Sequence, residues 1–282
     1  MPMPLKFLYI TNHAEVARIA EACGVEYIVV DLEILGKEER QRNRNSVISR
    51  HTLEDVRRIR ATLTRAKLLV RVNPIHEGSR EEVDQVIAAG ADIVMLPYFK
   101  TAREVAAFLG FVGGRAQTCL LWETTEAVDQ IEEILVLPGI DMIHIGLNDL
   151  HIGRGMKFMF ELLSDGTVET LCRRIKAAGI PYGFGGIARI GQGDLPAEHI
   201  IAEHVRLGSG MVILSRSFFT LRAGEAMEAC MEEFRKGVAA IRAYENLLET
   251  KEAVFFEENR KIVQEKVAAI VDKIRKREED EG

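Results

Sequence analysis

Down to about residue 246 the chain alternates, eight times over, a short apolar run of strand length with a segment of helical spacing, and this repetition limits the fold more than any other feature. The runs fall at residues 5–10, 27–33, 67–73, 92–98, 118–123, 142–147, 182–187 and 210–214. Between them, segments such as 14–23, 52–66, 80–89, 102–111, 125–135, 168–178 and 197–207 carry the helical period. Several of these close on the glycine expected just past a helix, at Gly24, Gly90 and Gly179. Continuous apolar strands joined by crossover helices require a parallel sheet covered on both faces. Eight repeats favour closure into an α/β (β/α)8 TIM barrel over an open, doubly wound sheet.

After Arg222 the pattern becomes helical to the end, so the expected organisation is a barrel core over residues 1–222 and C-terminal helices over 223–282. In the tail, Val263, Val267, Ile270 and Ile274 form an apolar stripe among charged residues and need a surface to cover them. That surface is either the chain's own barrel or a second subunit, and a homo-oligomer is expected on the latter account.

Composition bounds the function. The net charge of −6 lacks the basic footprint of a nucleic-acid-binding protein. No run reaches the roughly 18 apolar residues of a membrane span, and the start, MPMPLKFLYI, lacks the layout of a secretion signal. Cys23, Cys119, Cys172 and Cys230 match neither zinc spacing nor a disulfide framework and read as reduced thiols. A soluble protein of the cytoplasm is the expectation, without nucleic-acid or membrane partners.

In a barrel of this kind chemistry sits at the C-terminal ends of the strands, where polar residues interrupt the apolar runs. Those residues are Asp31 and Glu33 after strand 2, Arg71 and Asn73 after strand 3, Glu123 after strand 5, and Asn148 and Asp149 after strand 6, where Gly146 and Asn148 are candidates to bind the substrate. Strand alternation puts Cys119, Leu121 and Glu123 on one face. Taken alone, Glu123 reads as a carboxylate favouring a helix start. With Asp149 ending the next strand, it becomes one of two anions expected in one cleft, and a divalent cation on hard oxygen ligands, Mg²⁺ or Mn²⁺, would balance them. Arg71 offers a planar fork for a substrate carboxylate or a developing oxyanion, or else a salt bridge to Asp31 or Glu33.

The segments Val29-Val-Asp31-Leu-Glu33, Val70-Arg71-Val-Asn-Pro74, Ala91-Asp-Ile-Val-Met-Leu-Pro97, Trp122-Glu123-Thr-Thr-Glu-Ala127 and Pro138-Gly-Ile-Asp141 through Asp149-Leu150 resemble, in order and spacing, the HpcH/HpaI aldolase and citrate lyase beta-subunit family over about residues 5 to 220. The resemblance implies a (β/α)8 barrel that makes or breaks a carbon–carbon bond beside a 2-oxo acid or an acyl-CoA with Mg²⁺ or Mn²⁺. It implies Glu123 and Asp149 as metal ligands and Arg71 as the substrate-binding arginine. One position departs from the family: its pyruvate aldolases carry an acid–base histidine directly after the Asp-x-Glu of strand 2, and here Ile34 stands there. Asp31, Glu33, His13 and His151 are the candidates to replace it.

The charged connection 36–45 places Arg40, Arg42 and Arg44 where an anionic substrate group could bind. Gly185 and Gly186, within a weak dinucleotide-like pattern, offer backbone N–H groups to a phosphate, or else simply allow close packing. The expected function is a metal-dependent carbon–carbon lyase or aldolase on a small 2-oxo acid. The alternatives are the same chemistry on an acyl-CoA or a phosphorylated acid, and an inactive barrel kept as a binding or assembly module.

Overall fold

The computed structural model describes residues 4–37, 49–219 and 227–281. They form two compact units, one of Lys6–His144 and one that runs from Ile145 to the C-terminal helices and takes in Leu5.

The first unit is built on the strands β1 (Lys6–Ile10), β2 (Tyr27–Asp31), β3 (Lys67–Arg71), β4 (Ile93–Leu96), β5 (Gln117–Trp122) and β6 (Met142–Ile145), which lie side by side in chain order. From β1 to β5 every neighbouring pair is parallel. Their residues are buried on both faces, β2 and β4 along their whole length, as a parallel sheet under helices requires. The register aligns Asp31 with Arg71, Arg71 with Met95 and Met95 with Cys119. These four side chains therefore share one face, and alternation carries the same face on from Cys119 to Glu123.

The crossover helices are α1 (Ala14–Ala22), α2 (Leu53–Thr62), α3 (Ser79–Ala88), α4 (Ala102–Val112), α5 (Thr125–Asp129) and α6 (Ile131–Leu135). Local chemistry fixes their starts. Thr52 with Asp55 and Thr101 with Glu104 form capping boxes, in which the Thr hydroxyl accepts from the third helical amide and the acid accepts from the Thr amide.

The second unit contains α7 (Leu147–Gly153), α8 (Glu161–Ser164), α9 (Thr167–Ala177), β7 (Tyr182–Phe184), β8 (Gly186–Ile187), α10 (Ala197–Leu207), β9 (Met211–Leu214), α11 (Met227–Leu248) and α12 (Ala253–Glu281). The run expected as one strand over 182–187 is broken into β7 and β8, because Gly185 adopts φ +53° between them. Both pieces lie along β9: the Gly210 N–H donates to Tyr182 O (2.8 Å), and β8 pairs parallel with β9. The approach is close, since a Cβ on Gly183 would stand 2.1 Å from Met211 O.

The tail folds back within this unit. Val263, Val267 and Val271 are buried, while Ile270 and Ile274 are half-buried. Asn259, also buried, bridges α12 to α10: its Nδ2 donates to His199 O (3.1 Å) and Glu203 Oε1 (3.0 Å). Among the described residues no helix is long and apolar enough to cross a membrane.

Candidate active site

Asp31 closes β2 and Arg71 closes β3, and their register alignment lets the two side chains meet at the C-terminal edge of the first unit's sheet. Arg71 grips Asp31 with two parallel bonds, Nε to Oδ1 (2.8 Å) and Nη2 to Oδ2 (2.7 Å), the strong bidentate form of a charge-assisted pair. Its third nitrogen, Nη1, lies 3.4 Å from Glu33 Oε2. The salt bridge that the sequence left open for Arg71 is thus formed, with Asp31 as the main partner.

Lys37 completes the cluster. Its Nζ donates to Asp31 Oδ2 at 2.7 Å and lies 3.4 Å from Glu33 Oε2, one helical turn back along the chain. Asp31 and Glu33 are each 1% exposed, Lys37 3% and Arg71 16%, so Arg71 is the member that solvent reaches. Two carboxylates balance two cations, which is what permits four charges to be buried together. Burial by itself would raise the Asp31 carboxyl; the charge and hydrogen bonds of Arg71, then those of Lys37, outweigh it and hold Asp31 well below the usual carboxylate range. Burial likewise opposes the charge on Arg71, and Asp31, Glu33 and Glu123 in turn keep it firmly protonated.

Asn73 shapes the turn that follows β2. Its Oδ1 accepts from the N–H groups of Ile34 (2.9 Å) and Leu35 (3.0 Å), while its Nδ2 donates to Glu82 Oε1 (2.7 Å). Ile34 is held there with its side chain 55% exposed. Glu123, just past β5, is buried, and its Oε1 accepts the Tyr98 N–H at 3.1 Å. Tyr98 is the one non-glycine residue with positive φ among the described residues, at +48°, a strained conformation of the kind that gathers at functional sites.

His13 stands exposed at the start of α1, without a capping bond from its side chain. In the second unit, Gly146 is the N-cap of α7, and Asn148 and Asp149 lie in its first turn. Asp149 is buried; buried His151, on the same helix, donates from Nδ1 to Leu147 O (3.1 Å). Gly185 and Gly186 have packing neighbours: a Cβ would meet Leu147 Cδ1 at 2.8 Å and Ile213 O at 3.2 Å. Arg40, Arg42 and Arg44 lie outside the described residues.

Two residues that the sequence did not single out belong to the cluster. Lys37 opens a charged run that reads as a solvated loop, although its spacing of four from Glu33 is an ion-pair signal. His51 accepts the Asp31 N–H on Nδ1 at 3.0 Å, a contact across 20 positions with no local signature.

The sequence profile of the HpcH/HpaI aldolase/citrate lyase family matches residues 6–160, more than half of the chain. The chain belongs to this family. A 4-hydroxy-2-oxovalerate aldolase of Novosphingobium aromaticivorans is 27% identical over 213 residues, 65% of this chain and 76% of that protein. Among solved structures, an HpcH/HpaI aldolase from Desulfitobacterium hafniense is similar with a TM-score of 0.58 at 17% identity, covering 85% of this chain and 93% of that one. An HpcH/HpaI aldolase/citrate lyase family protein from Burkholderia cenocepacia has the same TM-score and identity, with 76% and 88% covered. These likenesses show the fold class, an α/β TIM-type barrel of parallel strands, here with C-terminal helices. Membership of the HpcH/HpaI family supports a lyase of aldolase type with a small acid as substrate.

Proposed function

We propose that this HpcH/HpaI family member is a divalent-metal-dependent carbon–carbon lyase that cleaves or forms the bond beside a 2-oxo acid. The observation that carries the reading is Arg71, clamped by Asp31 at the sheet's C-terminal edge and on the same strand face as Glu123. The name of the Novosphingobium relative, an aldolase of a 2-oxo acid, supports the substrate class.

The donor chemistry fits a hard cation. Glu123 and Asp149 are both buried carboxylates, and Mg²⁺ or Mn²⁺ commonly takes one or two of these and completes its shell with water and substrate oxygens. No group of three or more His, Cys, Asp or Glu suited to a metal occurs among the described residues. Glu123 and Asp149 would hold the ion, and when bound it supplies Lewis-acid polarisation of the 2-oxo group.

The chain's own residues do the rest. Arg71 keeps its charge at any working pH and, as the member of the cluster that solvent reaches, would offer its guanidinium to a substrate carboxylate or to oxygen charge that grows as the carbon–carbon bond breaks. Asp31 fixes the guanidinium plane with its two bonds, so little reorganisation is needed when charge develops. Lys37 and Glu33 complete the charge balance around that pair. The Tyr98 N–H sets the orientation of Glu123.

Pyruvate release from a 4-hydroxy-2-oxo acid, followed with Mg²⁺ or Mn²⁺ present, tests the reading. Glu123→Ala and Asp149→Ala are each expected to lose divalent-metal affinity and to lower kcat/KM by about 100-fold or more. Metal titrations unchanged in both variants would sink the metal assignment. Absence of turnover with every 2-oxo acid, while metal still binds, would favour the barrel as a binding module, the reading that Ile34 motivates.

A further inference from the structure

The first unit holds a second polar group aimed at Asp31, and it is uncharged. Along the edge of β2 that faces β1, the Thr11 N–H donates to Val29 O at 3.1 Å, the last such bond before the chain leaves the sheet. Two residues further on, the Asp31 N–H has no strand partner, and His51 Nδ1 takes it at 3.0 Å. His51 comes from elsewhere in the chain, immediately before the capping box of Thr52 and Asp55 that starts α2.

An imidazole nitrogen that accepts an amide proton carries no proton itself, so the neutral ring has its proton on Nε2. The ring is half-buried. That burial is the main reason His51 is harder to protonate than an ordinary histidine; the charges of Asp31 on β2 and Asp55 on α2 oppose the shift, while Lys37 and His13 add to it. Nε2 makes no hydrogen bond among the described residues. Around Asp31, every other titratable partner is a charge already balanced by another, and His51 is the neutral donor of the group.

Resting on the lyase reading above, we propose that His51 is a further catalytic residue, a neutral Nε2–H donor to the substrate oxygen that gains negative charge, anchored on the backbone amide of the residue whose carboxylate holds Arg71. The ring donates a hydrogen bond and keeps its proton, so no further acid or base is needed for this role. A donor held in place before the charge appears is worth most inside a site that excludes water. A neutral imidazole suits a carbonyl oxygen, which is the acceptor that a 2-oxo acid or an aldehyde product presents.

Two measurements on the full-length chain test this. Imidazole ¹⁵N spectra between pH 6.5 and 8 should show His51 with Nε2 protonated and Nδ1 bare; a protonated Nδ1 or a charged ring at pH 7 would overturn the proposal. Exchange of pyruvate methyl protons for deuterium, with Mg²⁺ or Mn²⁺, gives the second readout. His51→Leu should lower kcat for exchange by about 100-fold with little change in KM. His51→Gln, whose amide can accept from Asp31 and still donate, should stay within about tenfold of the wild type. Matched thermal melts keep folding separate from chemistry, and equal exchange by wild type and a folded His51→Leu variant would refute the role. A wild type that exchanges nothing would count against the lyase reading, and the tautomer measurement would still decide the state of His51.

Discussion

Arg71, Asp31, Glu33 and Lys37 form a closed exchange of charge, so the effect of removing one member depends on what it leaves behind. Lys37→Met takes one of the two cations beside the buried carboxylates Asp31 and Glu33, and we expect a loss of about 3 kcal/mol, read from urea unfolding at neutral pH. Arg71→Lys keeps the charge but cannot make two parallel bonds to Asp31. It should lower kcat/KM for the proposed cleavage by about 100-fold with a smaller effect on stability, compared by steady-state kinetics and thermal melting. Three members of this group are legible in the sequence, because a polar residue at the end of an apolar strand has few structural excuses. Lys37 is not, since the charged run it begins looks like any solvated loop. His51 is hidden for another reason: what brings it to Asp31 is an amide left over where β1 stops, and that gap exists only in the folded sheet.

At the scale of elements, β2, β3, β4 and β6 stop two residues short of their apolar runs. Glu33, Asn73 and Tyr98 have left the sheet, and their backbones and side chains serve the site rather than the ladder. Hydropathy marks the run, whereas the last ladder bond marks the strand, and only the first of these is written locally. The broken strand at Gly185 is legible afterwards as glycines at 183, 185 and 186, each pressed on a neighbour. Gly183→Ala would drive its Cβ into the backbone of Met211, with an expected loss of about 3 kcal/mol or failure to fold, whereas Gly110→Ala meets nothing within 4 Å and should be near neutral or mildly stabilising; parallel urea titrations compare the two. Glu21 on α1 ties down the turn between α2 and β3, accepting from the amides of Thr64, Arg65 and Ala66. Burial alone would raise its carboxyl, but these bonds lower it from 4.5 to about 2. Because the folded value lies below the unfolded one, the stabilisation is complete above about pH 4.5 and fades as pH falls towards 2. Glu21→Ala should therefore cost about 2 kcal/mol at pH 7, and the gap between wild type and variant should narrow on acidification through that window.

For the whole molecule, the family and the fold were legible because they rest on repetition and order across more than half the chain, which no single substitution erases. The tail was half legible: its stripe showed that something covers it, and the fold shows that the chain's own α8 and α10 do. Deleting residues 253–281 removes three buried valines and the Asn259 bridge, and the melting temperature should fall by on the order of 10 °C. Light scattering should give the same number of subunits before and after, as expected of a helix that packs on its own chain. A drop in that number would place the tail at an interface.

The cysteines offer a way to watch this protein open. Cys119 lies in the first unit and Cys172 and Cys230 in the second, all three buried, while Cys23 is only half-covered. Burial pushes the Cys119 thiol far up and Cys172 to about 12, so neither reacts from the native state near neutral pH. A thiol reagent read out by peptide mass would therefore time the opening of each unit separately, with the chain's own sulfurs as the clocks and no engineered label.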